Sequence, residues 1–147
     1  AEHITLVGLR LGATLAAQVA GSRTDIESIV LYAPVYDGQS LLTEWRHEQE
    51  VFDRKHSHTP RQSRTGEILG FPVTEAFHNE LVREVSLAVT DSSLKKVLIL
   101  VEEVETESAI LKTWVDMFKS HDVMVTIESP ENLAIWRREA IESIVPI

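Results

Sequence analysis

The sequence predicts an α/β protein built on a parallel sheet of about four strands. Short, almost continuous apolar runs alternate with helical patterns along most of the chain. The apolar runs lack the alternation typical of a sheet with one solvated face, which indicates strands buried on both faces. The predicted strands cover residues 3–9, 27–33, 95–101 and 123–129.

Three predicted helices connect or follow these strands. Residues 10–21 are rich in Ala and Leu, and Gly21-Ser22 ends that helix. A last helix is predicted over 133–144. The helix predicted over 107–120 carries an apolar stripe formed by Ile110, Leu111, Trp114, Met117 and Phe118. With helices between successive strands, we expect parallel pairing and right-handed crossovers.

Residues 37–92 differ in character and are predicted to be an insertion of short helices above the sheet. A charged amphipathic helix begins at "DGQSLLTEWRHEQEVFDRK", and a polar segment follows it. Thr74 is a predicted N-cap for a second helix, whose apolar face contains Phe77, Leu81 and Val85. A simple loop with one helix is the alternative.

The composition excludes several classes of function. The chain has 147 residues, a net charge of −9 and no cysteine. An acidic surface disfavours nucleic acid and anionic membranes, because both attract Lys and Arg. The lack of cysteine excludes disulfides and thiolate metal sites and fits a cytoplasmic location. No run is apolar for the length of a membrane span, no Rossmann fingerprint is present, and we expect no cofactor.

The turn between the first strand and the first helix, Gly8-Leu9-Arg10-Leu11-Gly12, is the most informative motif. Many hydrolases present a serine nucleophile at the centre of such a Gly-x-x-x-Gly turn. Arg10 cannot replace that serine, because a guanidinium offers no nucleophilic lone pair. At a helix N-terminus it would suit a carboxylate or a phosphate. Pairing of Arg10 with an acidic side chain is the alternative.

Three stretches of the chain are informative together: "LVGLRLGATLA", "LYAPVYDGQSLLTEWR" and "IWRREAIESIVPI". They resemble the α/β-hydrolases from their nucleophile turn onward, and in particular the second type of exosortase A system-associated hydrolase. The resemblance covers essentially the whole chain but only the C-terminal half of such a protein. Because the chain begins with Ala1 and enters a strand within three residues, we expect a fragment of a longer single domain. A complete small domain is the alternative.

The resemblance implies positions for the site residues. Arg10 occupies the nucleophile position, and Glu105, after the third predicted strand, occupies that of the triad acid. Arg10, Leu11 and Asp37 would line a ligand pocket, whereas a simple turn is the alternative for Asp37. The neighbouring glutamates are alternatives for the acid position or belong to a solvated turn: Glu102, Glu103 and Glu107.

The catalytic base is missing from the expected place. The resemblance puts a histidine after the last strand, but the loop there reads "SPENLAIW". We therefore expect a hydrolase fold without hydrolase chemistry, which binds an anionic or acyl ligand or has an accessory role in exosortase-linked export. An active esterase or thioesterase, with a nonstandard nucleophile or residues of an N-terminal half, is the alternative. A purely structural module is the third hypothesis.

Two further expectations concern metals and self-association. His56 and His58 would face the same side of an extended segment, but a metal ion needs a third ligand, so we expect no metal site. The first strand, 3–9, is long and apolar, and in a short chain it would lie at a sheet edge. We therefore expect either a homodimer or aggregation, with this strand buried at the contact.

Overall fold

The computed structural model describes residues 3–55, 66–83, 87–90, 92–131 and 133. Over these residues the chain has an α/β fold with a four-stranded parallel sheet in the order β1-β2-β5-β6. The strands are β1 (Ile4–Leu9), β2 (Ile26–Tyr32), β5 (Lys96–Leu100) and β6 (Met124–Glu128). The parallel sheet predicted from the four apolar runs is confirmed. The observed strand ends differ from the predicted ones by no more than one residue.

Four α-helices lie in the described part of the chain: α1 (Leu11–Ala20), α2 (Gly38–Lys55), α3 (Glu75–Val82) and α4 (Ala109–Lys119). Thr74 caps α3 as predicted, since its side chain accepts a hydrogen bond from the N–H of Phe77. Three predicted features lie outside the described residues: all but the first residue of the helix predicted over 133–144, the segment with His56 and His58, and Val85.

A small hairpin precedes α3, and the sequence pattern did not predict it. It consists of β3 (Glu67–Ile68) and β4 (Phe71–Pro72), which pair antiparallel. Strands of two residues are too short to show a period of two, and the Leu69-Gly70 turn lacks the usual Asn-Gly or Asp-Gly signal.

The chain divides into two compact units. The first contains Ala1–Val35 and Ser86–Ile147 and holds the parallel sheet, and the second is Tyr36–Val85. The second unit covers most of the range 37–92 that the sequence assigned to an insertion. Its interpretation as an insertion above the sheet stays a prediction.

Over the described residues, one face of the parallel sheet is buried at its centre and the other is partly exposed, which corrects the expectation of burial on both faces. Gly8, Leu31 and Ile99 are neighbours on the buried face. On the opposite face Val7 is 73% exposed, and its neighbour Val30 is half-buried. In the sheet, β2 lies to the same side of β1 as β6 does of β5. Because crossovers between parallel strands are right-handed, α1 and α4 are expected on the same face of the sheet.

The apolar stripe predicted for α4 is mostly correct. Leu111, Trp114 and Phe118 are buried, and Val115 joins them. Ile110 is 41% exposed and Met117 is half-buried, because both lie at the edges of the stripe. Within the described ranges, no helix combines the length and the apolar character that crossing a membrane requires.

An ionic cluster joins the starts of three strands at the amino edge of the sheet. The carboxylate of Glu27 lies 2.6 Å from Nδ1 of His3 and 2.6 Å from Nζ of Lys95. The hydrogen bond from Lys95, helped by the charge of His3, holds the pKa of the Glu27 carboxyl below its ordinary value. The ionised form of Glu27 therefore favours the folded state.

We expect Glu27→Gln to lower the urea midpoint of unfolding slightly at pH 7. A carboxyl whose pKa is lowered by folding stabilises above its unfolded-state pKa, about 4.3. That contribution is lost as the pH falls through the lower folded pKa. The difference between wild type and variant should therefore shrink as the pH falls below about 4.3. Glu131→Gln, at an exposed position, is the control, and an equal effect of both variants would contradict the prediction.

Candidate functional site

Arg10 lies at the sharp turn where β1 ends and α1 begins. Its backbone has φ 53° and ψ −123°, a conformation that residues other than glycine rarely adopt. Such a conformation costs about 1–3 kcal/mol and persists only where the surroundings hold it. Strained residues of this kind cluster at active sites and ligand clamps, which makes this turn the first candidate for a functional site.

Backbone hydrogen bonds hold the turn on both sides. The N–H of Arg10 donates to the carbonyl of Tyr32 at 2.9 Å, extending the ladder between β1 and β2 by one residue. The carbonyl of Arg10 accepts from Ala13 at 2.9 Å and from Thr14 at 3.4 Å. As at every helix N-terminus, the N–H group of Leu11 has no carbonyl acceptor within its own helix, α1. The turn therefore presents helix N–H groups beside a cationic residue.

The two glycines of the turn have different roles. A Cβ at Gly8 would lie 2.4 Å from the carbonyl oxygen of Gly12 and 2.5 Å from Cα of Ala13. A Cβ at Gly12 would meet nothing within 4 Å. Gly8 thus allows β1 and the first turn of α1 to approach closely, whereas Gly12 is not required for packing. The small residues Ala13, Ala16, Ala17 and Ala20 continue the close contact along the buried side of α1.

Sequence reasoning missed two residues that support this turn. Ala33, just after β2, has φ 45° and donates its N–H to the carbonyl of Leu100 at 2.7 Å. Thr14 is 1% exposed, and its Oγ1 donates to the carbonyl of Val35 at 2.6 Å and accepts from the N–H of Val35 at 3.1 Å. Thr14 is the one polar side chain on an alanine-lined helix face, which was the available signal.

Glu105 lies at the same edge of the sheet as Arg10 but not beside it in strand order. It ends a 3₁₀ turn, Glu103–Glu105, that follows β5, and it is half-buried. Its N–H donates to the carbonyl of Glu102 at 2.8 Å. With β2 between β1 and β5, the two strand ends are about 10 Å apart. Glu105 thus lies at the carboxyl edge, where parallel sheets bind ligands.

Asp37 belongs to the second unit and holds the start of α2. Its carboxylate accepts from the N–H groups of Gln39 and Ser40, each at 3.0 Å, and from Oγ of Ser40 at 2.5 Å. The hydrogen bond from the Ser40 hydroxyl, with that from the Gln39 backbone, lowers the pKa of Asp37. Its oxygens therefore cap a helix, and its role in a ligand pocket stays a prediction.

The chemistry available at the carboxyl edge is limited. The loop after β6 begins with Ser129 and Pro130, and the sequence from there to Trp136 contains no histidine. Over the residues that the structure describes, no three His, Asp or Glu side chains gather closely enough to hold a metal ion. At the end of β1 the edge thus offers a cationic residue and helix N–H groups, which suit an anion. The Glu105 carboxylate, two strands away, would not contribute to holding one.

The chain was compared with protein-family models, with curated proteins and with solved structures, and none of them matches it. A functional interpretation therefore depends on the geometry at the end of β1 and on the motifs of the sequence.

Proposed function

We propose that this chain is a noncatalytic α/β-hydrolase-like protein that binds a small anionic ligand, a carboxylate or a phosphate, at Arg10. One observation carries the proposal: Arg10 has φ 53° and ψ −123° at a strand-to-helix turn. Hydrolases of this fold hold their nucleophile on such a strained turn. Here the same backbone geometry presents a guanidinium, which binds anions and attacks nothing.

The strength of binding can be bounded from the groups present. A helix N-terminus contributes about 0.3–1 kcal/mol toward an anion. Charge-assisted hydrogen bonds from a guanidinium add about 1.5–3 kcal/mol. Their sum is about 2–4 kcal/mol, and 4.1 kcal/mol corresponds to a Kd of about 1 mM. A bare anion should therefore bind in the millimolar range or more weakly, and an acyl chain on the ligand would tighten binding.

The absence of a base supports a noncatalytic role. Acyl transfer requires a nucleophile, a histidine to accept its proton and an acid to orient that histidine. The turn has Arg10 in place of the nucleophile, and the sequence "SPENLAIW" after β6 has no histidine. The resemblance to the exosortase-associated family extends the proposal to an accessory role in export, in which the ligand is held rather than hydrolysed.

The proposal is tested by titrating acetate and inorganic phosphate into the protein labelled with ¹⁵N. We expect saturable shifts of the Leu11 and Gly12 amide signals, because these N–H groups would face the anion. Arg10→Ala should weaken binding by about tenfold, the equivalent of roughly 1.4 kcal/mol, and Arg10→Lys should weaken it less. Arg46→Ala, at an exposed arginine of α2, is the control and should leave the titration unchanged.

Arg10→Gly separates the ligand from the strain. Glycine adopts a positive φ without steric cost, so this variant should be about 1 kcal/mol more stable than Arg10→Ala and yet bind no better. Shifts that persist in Arg10→Ala would contradict anion binding at the turn. Ester hydrolysis that survives Arg10→Ala would instead favour the active-hydrolase alternative.

A further inference from the structure

The second unit contains an apolar cavity of about 400 Å³. Its walls come from α2, from the β3–β4 hairpin and from the start of α3. The lining residues are all apolar or aromatic: Trp45, Ile68, Leu69, Phe71, Pro72, Val73 and Phe77. A volume of this size lies within the range of about 300–1,000 Å³ that is typical of small-molecule sites.

Several large side chains of the cavity wall are exposed to solvent. Phe71 is 73% exposed, Phe77 39% and Leu69 37%. Two phenylalanines and a leucine left in water within one short segment are costly, because each would gain from burial. Clustered exposed apolar side chains mark binding sites more often than single ones do.

In the hairpin turn, Leu69 of the cavity wall has a backbone conformation that leucine rarely adopts. Leu69 has φ 54° and Gly70 has φ 83° at the two central positions, a turn that favours Asn-Gly. A hydrogen bond from the N–H of Leu69 to Oε1 of Gln49 on α2, at 2.7 Å, fixes the turn against the helix. The strained backbone thus carries a leucine on the cavity wall where an asparagine would be easier to accommodate.

We propose that this cavity is a binding site for an uncharged hydrocarbon group of a small molecule, either an alkyl chain or an aromatic ring. None of the lining side chains carries a charge, so a charged group inside would lose its hydration without a partner. Three aromatic walls and four aliphatic ones favour dispersion and ring contacts instead. The site is separate from anion binding at Arg10 and does not rest on it.

The test uses two uncharged probes, 1-octanol and indole, titrated into the ¹⁵N-labelled protein. We expect saturable shifts of the Trp45 indole N–H and of the Leu69 and Gly70 amides with at least one probe. Phe71→Asp should weaken binding by at least about tenfold, because it places a charge against the hydrocarbon. Leu15→Asp, at an exposed apolar residue of α1, is the matched control and should bind as the wild type does.

Leu69→Asn is a second variant that changes the cavity wall and is not expected to impair folding. An Asn-Gly turn relieves the strain, so this variant should be at least as stable as the wild type. It should nevertheless bind about fourfold more weakly, the equivalent of roughly one buried methylene group. The proposal is overturned if neither probe gives saturable shifts, or if Phe71→Asp and Leu69→Asn bind as the wild type does. Equal shifts at Val7 and Val104, exposed residues of the first unit, would overturn it as well.

Discussion

Gly8→Ala should lower the free energy of unfolding by about 3 kcal/mol, at the upper end of the usual cost of overpacking. The added Cβ would lie 2.4 Å from the Gly12 carbonyl oxygen and 2.6 Å from the backbone nitrogen of Ala13. These are backbone atoms, which cannot rotate away as the end of a flexible side chain would. Relief would require α1 to move from β1, and urea unfolding at pH 7 measures the cost.

Gly12→Ala is the matched control four residues along the same turn. Its Cβ would meet nothing within 4 Å, and alanine is the better helix former by about 0.5–1 kcal/mol. This variant should therefore be as stable as the wild type or slightly more stable. Similar losses of stability in both variants would mean that the close approach is not specific to Gly8.

Thr14→Val should cost about 2–3 kcal/mol although it preserves the shape of the side chain. The Thr14 hydroxyl both donates to the carbonyl of Val35 and accepts from its N–H. Val35 is 6% exposed, so valine at position 14 leaves two buried backbone groups without partners. The loop after β2, which includes the strained Ala33, would lose its attachment to α1.

Thr14→Ser separates the hydroxyl from the methyl group. Serine keeps both hydrogen bonds and loses about one buried methyl group, so its cost should be about 1 kcal/mol. Chemical denaturation of the three proteins under the same conditions gives the comparison. If Thr14→Val is as stable as Thr14→Ser, the hydroxyl is not what holds the loop.

The parallel sheet could be predicted from the sequence because its strands are nearly continuous apolar runs. The run from Lys95 to Val101 needs no tertiary information to be recognised as a buried strand. The charged, amphipathic helix α2 could also be predicted, because it is long enough to show the helical period of apolar residues. The β3–β4 hairpin could not, because Leu69 at a positive φ contradicts local preference and is held by Gln49, twenty residues earlier.

For the candidate site at Arg10, too, some properties could be predicted from the sequence and others could not. The sequence alone determined that arginine occupies the centre of the Gly8–Gly12 turn and that the segment "SPENLAIW" after β6 contains no histidine, since both are matters of residue identity. Only the tertiary structure decided that Arg10 is strained, that Gly8 and not Gly12 is sterically required, and that Thr14 binds Val35. These properties depend on backbone approaches between β1, α1 and the loop after β2. Such approaches follow from packing, which no local pattern specifies.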